Sequence, residues 1–112
     1  MAVLNELKPG LDEKLYERAL VIELRSRGHG VDQQKKFHVK YKGHEIGDLV
    51  PDLIVDDTII VDTKVVEMFN ESHVAQMIGY LAISEREVAL LLSFKTARLK
   101  WKRVVRTRQS DQ

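Results

Sequence analysis

Val50-Pro51-Asp52-Leu53-Ile54-Val55-Asp56-Asp57-Thr58-Ile59-Ile60-Val61-Asp62-Thr63-Lys64 sets two β-branched runs on either side of Asp56-Asp57-Thr58, the pattern of a β-hairpin with a tight turn. Side chains alternate faces along a strand. Val50, Asp52 and Ile54 therefore share one face, and Ile60, Asp62, Lys64 and Val66 share one face of the returning strand. Two carboxylates and an ammonium can meet above a surface otherwise built of Val and Ile. An ion pair buried there that loses one partner costs on the order of 3–5 kcal/mol, and Lys64 offsets one negative charge but not two. A divalent cation held by carboxylate oxygens would supply the rest.

The 112 residues of the chain suffice for one domain, residues 1–112, with a single sheet and a helix or two packed on it. With no cysteine there is neither a disulfide framework nor a thiolate metal site, which leaves hard oxygen ligands and is compatible with a reducing cytoplasm, the expected location. The start Met1-Ala-Val-Leu-Asn-Glu6 lacks the basic lead and apolar run of a signal peptide. No apolar segment approaches the roughly 20 residues that span a bilayer. A net charge of +1 implies no whole-molecule attraction to nucleic acid, yet the charge is segregated. Residues 51–75 carry six acids against Lys64, and residues 95–108 carry seven Lys or Arg and no acid.

Taken in order, residues 1–9 read as a lead-in that breaks at Pro9-Gly10. Leu11, Leu15, Tyr16, Ala19, Leu20, Ile22 and Leu24 then recur at helical spacing and predict an amphipathic helix from Leu11 to about Arg27, stopped by Gly28 and Gly30. Glu13 lies in its first turn, where it suits the positive end of the helix dipole, and it borders the apolar stripe. Val31 to Lys42 alternates as one half-exposed strand, with Lys36, His38, Lys40 and Lys42 on a basic outer side. After the hairpin, Asn70-Glu71-Ser72 supplies capping residues, and Val74, Met77, Ile78 and Leu81 predict a second helix ending near Ser84. His73, Gln76 and Tyr80 form a neighbouring stripe. Residues 88–94 form a short apolar run, read as a strand buried on both faces. The last strand places Arg98, Lys100, Lys102, Arg106 and Arg108 on one side and Leu99, Trp101 and Val105 on the other. The expected order is helix, three strands, helix, two strands, with helices flanking a mixed sheet and a right-handed crossover if the strands around the second helix are parallel.

Pro51-Asp52, nine residues, then Asp62-Thr63-Lys64 resembles the PD-(D/E)xK pattern of a metal-dependent nuclease superfamily. Gln76-Met-Ile-Gly-Tyr80 looks like the QxxxY motif of its RecB- and Cas4-like branch, and Gly10-Leu-Asp-Glu13-Lys-Leu-Tyr16 is similar to the signature of the GxxExxY protein family within it. The resemblance implies an α/β, restriction-endonuclease-like αβββαβ core. It implies Asp52 and Asp62 as ligands of Mg²⁺ or Mn²⁺, Lys64 as the catalytic lysine and Glu13 as an acidic helper or third ligand. Gln76 and Tyr80 would orient the site or the substrate. At the second acid this chain has Asp62 where GxxExxY proteins usually carry Glu, which draws that ligand nearer the strand.

These residues support phosphodiester hydrolysis: the cation would neutralise charge on the phosphoryl group and lower the pKa of a bound water. Lys64 would hold the attacking water or stabilise the developing oxyanion. Arg98, Lys100, Lys102, Arg106 and Arg108, with Lys36 to Lys42, would contact phosphates without reading sequence. No base-reading helix or stacking platform is evident. The expected partner is nucleic acid, DNA before RNA, and the small chain suggests a homodimer through the last strand or the Trp101 region. Two other readings stay open: Asp62 and Lys64 as an exposed ion pair worth about 0–1 kcal/mol, and a catalytically silent domain that binds nucleic acid or protein. The four histidines show no metal spacing, and only His73 falls near the site.

Overall fold

The computed structural model describes residues 2–106. Its elements are α1 (Ala2–Leu7), α2 (Glu13–Ser26), β1 (Val31–Gln33), β2 (Phe37–Tyr41), β3 (His44–Leu49), β4 (Leu53–Val55), β5 (Ile59–Lys64), α3 (Glu71–Ser84), β6 (Val88–Ser93) and β7 (Lys100–Val105). Five strands form a sheet in the order β1-β4-β5-β6-β7, and β2 and β3 form a separate two-stranded sheet. Only β5 and β6 run parallel, joined through α3. The remaining neighbours are antiparallel. The expected αβββαβ core is present as α2, β1, β4, β5, α3 and β6, with β7 added at one edge.

The hairpin forms as its sequence demands. Asp56 and Asp57 both adopt positive φ, 51° and 56°, and Thr58 N donates to Val55 O at 3.0 Å, the two-residue turn whose twist matches the flanking strands. Its alternation sends residues to opposite layers. Leu53, Val55 and Val61 pack with Tyr16, Leu20, Val21 and Phe94 on the α2 side, while Ile54 and Ile60 pack with Met77, Tyr80 and Leu81 of α3. β6 is covered on both faces, with Leu92 in the first layer and Ala89 and Leu91 in the second.

Four expectations are corrected. Residues 1–9 are not an unstructured lead-in: Val3 and Leu4 of α1 are buried against α2, in a helix too short to display a period. The strand expected over Val31–Lys42 is two strands, because Gln34 takes φ 58° and turns the chain out of the main sheet. Lys36 to Lys42 therefore belong to the β2–β3 hairpin. β3 itself, exposed at five of its six positions, has no alternation of apolar residues to announce it. In α3, Ile78 faces outward and Tyr80 takes its place in the core. Among the described residues no helix is long and apolar enough to cross a membrane.

Candidate active site

Asp62 and Lys64 stand on the α3 side of β5, and Asp52 stands at the bend leading into β4. Asp62 is 3% exposed. Its Oδ1 accepts a hydrogen bond from Asp52 N at 2.9 Å, and its Oδ2 lies 3.6 Å from Lys64 Nζ. Asp52 Oδ2 accepts from Thr63 N at 3.0 Å and Thr63 Oγ1 at 3.2 Å. Each acid is thus held by backbone of the other strand, and the hairpin register itself positions the pair.

From α3, Gln76 reaches the same place. Lys64 Nζ donates to Gln76 Oε1 at 3.1 Å, and Gln76 Nε2 donates to Tyr80 OH at 3.0 Å. This gives a chain from Asp62 through Lys64 and Gln76 to Tyr80. Gln76 and Tyr80, four residues apart on α3, meet the site because they share a helix face. His73 does not join them: its Nδ1 accepts from Asn70 N, and its own N–H donates to Asn70 Oδ1, a capping box at the start of α3.

Glu13 opens α2. Burial raises its carboxyl above the ordinary value, with Lys64 lowering it and Asp52 and Glu17 raising it. Burial likewise raises Asp52, against the backbone hydrogen bond from Thr63. Asp62 is pushed up to about 7, first by burial and then by the Asp52 charge. Tyr80 is raised to about 12 by burial and by the same two carboxylates. Burial is the largest cause in each case, and neighbouring carboxylates add to it.

Two residues that the sequence reading passed over take part. Thr63 clamps Asp52. Glu17, one turn after Glu13, is 2% exposed. It accepts bonds from Gln33 and Gln34 at 2.8 and 3.1 Å and pairs with Lys14 at 3.1 Å. Gln34 N in turn donates to Asp52 O at 3.0 Å. A buried Glu beside a candidate acid looks like any polar helix position until the fold closes over it. Tyr16 of the same helix is structural: its OH donates to Lys8 O at 2.6 Å and accepts from Leu11 N at 3.0 Å, and its ring stacks on Phe94 at 4.9 Å.

The donor set suits a hard divalent ion, being carboxylates with neither sulfur nor imidazole. Among the described residues no three acids or histidines stand close enough to form a ready-made metal cluster. Asp52 and Asp62 fit as a pair, with Glu13 at a greater remove. On the basic side, Lys64 aligns with Ser93 and Lys100, and Asp62 with Leu91 and Lys102. Lys100 and Lys102 are therefore two strands, about 10 Å, from the site on the same sheet face. Arg98 and Arg106 flank this strand, and Arg108 lies outside the described residues.

A family model described as the PD-(D/E)XK nuclease superfamily matches residues 1–104. A search of curated proteins finds no match. Among solved structures, an alkaline exonuclease (LHK-Exo) from Laribacter hongkongensis superimposes with TM-score 0.63 and 17% identity, covering 84% of this chain and 56% of that one. The same exonuclease in complex with dAMP gives TM-score 0.58, 17% identity and coverage of 88% and 61%. The protein SSO0001 gives 0.67, 14% identity and coverage of 86% and 50%. These likenesses establish the fold, and the chain spans about half to three-fifths of the length of each neighbour.

Proposed function

Because this chain belongs to the PD-(D/E)XK nuclease superfamily, we propose that it is a Mg²⁺- or Mn²⁺-dependent nuclease that hydrolyses DNA phosphodiesters with little sequence preference. The observation that carries this reading is the buried Asp62, pushed up to about 7, joined through Lys64 and Gln76 to Tyr80 beside Asp52. The dAMP bound to one structural neighbour favours DNA over RNA. The GxxExxY placement and the QxxxY role of Gln76 and Tyr80 belong to the same reading.

In this reading Asp52 and Asp62 would hold the metal, with Glu13 at a greater remove. The ion would supply charge neutralisation at the phosphoryl group and a water of lowered pKa. Lys64 brings its ammonium to the developing negative charge, where a preoriented donor counts for more than in water. Gln76 fixes the rotamer of Lys64, Tyr80 fixes Gln76, and Thr63 keeps Asp52 turned toward Asp62. Lys100 and Lys102 hold flanking phosphates. A homodimer belongs to this proposal too, readable by sedimentation.

One observation favours the second reading, a silent nucleic-acid-binding or protein-interaction domain: an oxygen of each carboxylate is already satisfied within the chain, Asp62 Oδ1 by Asp52 N and Asp52 Oδ2 by Thr63. A Mn²⁺-dependent cleavage screen over single- and double-stranded DNA and RNA, run beside Lys64→Ala, separates the two. Cleavage lost in Lys64→Ala supports the nuclease; binding without cleavage in any substrate supports the silent domain.

A further inference from the structure

A groove of about 470 Å³ lies between the segment after β5 and the edge strand β7, lined by Met68, Phe69, Leu99, Lys100, Trp101 and Lys102, with Glu67 at its lip. A second cavity of about 440 Å³ continues it along the start of α3, sharing Phe69 and Lys102. The groove passes the outer edge of β7, so both side-chain rows of that strand line it. Trp101 is 64% exposed and Met68 79%, both large apolar side chains. Lys100 and Lys102 stand in register with Lys64 and Asp62, and Glu67 follows Lys64 by three residues. The lysines of the groove thus share the sheet face of the candidate active site, two strands away.

Exposed flat and polarisable side chains beside lysines match a strand of unpaired nucleotides, whose bases stack on aromatic faces while its phosphates meet the cations. A second copy of this chain fits poorly, because pairing β7 with itself would bring Lys100, Lys102 and Arg103 against their own counterparts. We propose that this groove holds a single-stranded segment of the nucleic acid, leading to or from the candidate active site. The position of the scissile bond in this proposal rests on the nuclease reading; the binding itself does not. Sequence alone offered no stacking platform, because Phe69 and Trp101 are 32 residues apart.

Trp101 is the sole tryptophan, so its fluorescence reports the groove directly. Titrating the whole chain in EDTA with an oligothymidylate should quench the emission saturably, and a blunt duplex of the same length should bind at least tenfold more weakly. With a labelled oligothymidylate, Trp101→Ala and Lys102→Ala should each weaken binding about tenfold, while Tyr41→Ala, an equally exposed aromatic on the β2–β3 hairpin, should not. An unquenched Trp101, equal quenching by duplex, or Trp101→Ala binding as wild type would overturn the proposal. Cleavage in Mn²⁺ is scored separately: quenching without cleavage keeps the groove and removes the nuclease, and cleavage without quenching does the reverse.

Discussion

Lys64 Nζ donates to Gln76 Oε1 at 3.1 Å, so the ammonium at the end of β5 is held by a helix and not only by its neighbour Asp62 on the same strand. Asp62 Oδ2 is the longer contact, 3.6 Å. The position of Lys64 therefore depends on how α3 sits on the sheet.

Lys64→Ala should abolish cleavage while oligonucleotide binding stays nearly intact, because it removes a group acting in the transition state and leaves the basic strand alone. Gln76→Ala should lower kcat by about ten- to a hundredfold with little change in KM, since it loosens the lysine without removing it. Steady-state kinetics on both variants check this; equal loss of binding and turnover would remove the role of Lys64.

Asp62 sets a pH dependence with a definite sign. Its folded-state pKa of about 7 lies above its ordinary value of 3.8, so the folded chain holds a proton that the unfolded chain releases. Metal-free stability should be full below about pH 4 and fall as pH rises toward 7, by up to about 1.4 kcal/mol per pH unit from this group. Asp52 and Glu13, both raised, add in the same direction. Melts in EDTA from pH 4 to 8 should show the decline in wild type and flatten it in Asp62→Asn.

Neutralising Asp52 should relieve repulsion in the metal-free protein, so Asp52→Asn in EDTA at pH 8 should melt at or above wild type. Mn²⁺ should stabilise wild type by about 2.7 kcal/mol at a hundredfold excess over Kd and barely move the variant. A destabilised Asp52→Asn beside a metal-indifferent wild type would identify a structural ion pair instead.

Tyr16→Phe should cost about 1–3 kcal/mol, because it strands the Leu11 N–H and Lys8 carbonyl that the hydroxyl serves. The ring still stacks on Phe94, so the chain should fold, with a lower urea midpoint and an unchanged m-value. An unchanged midpoint would show that water replaces the hydroxyl.

Legibility followed the range of the forces involved. The β4–β5 hairpin, α3 and β6 could be read because turn chemistry, capping at Asn70 and apolar periodicity act within a few residues. The break at Gln34 could not, since a Gln gives no local sign of positive φ and the alternation of β1 continues through it into β2. Ile78 and Tyr80 exchanged places because both lie at the border of the helix stripe, and packing against Ile54 and Ile60 chose between them. The involvement of Glu17 depended on Gln33 and Gln34, which reach it only after the chain turns back.

By itself the sequence determined that Asp62 and Lys64 share one face of β5, because the period of a strand is two whatever surrounds it, whereas Asp52 stands at the bend before β4, outside that alternation. It also determined that Gln76 and Tyr80 share a helix face one turn apart. Tertiary structure decided the rest: that α3 lies where Gln76 can hold Lys64, that Glu13 and Glu17 approach Asp52 from α2, and that Phe69 and Trp101 line one groove. Those contacts join residues far apart in the chain, and only burial of the two apolar layers against a common sheet brings them together.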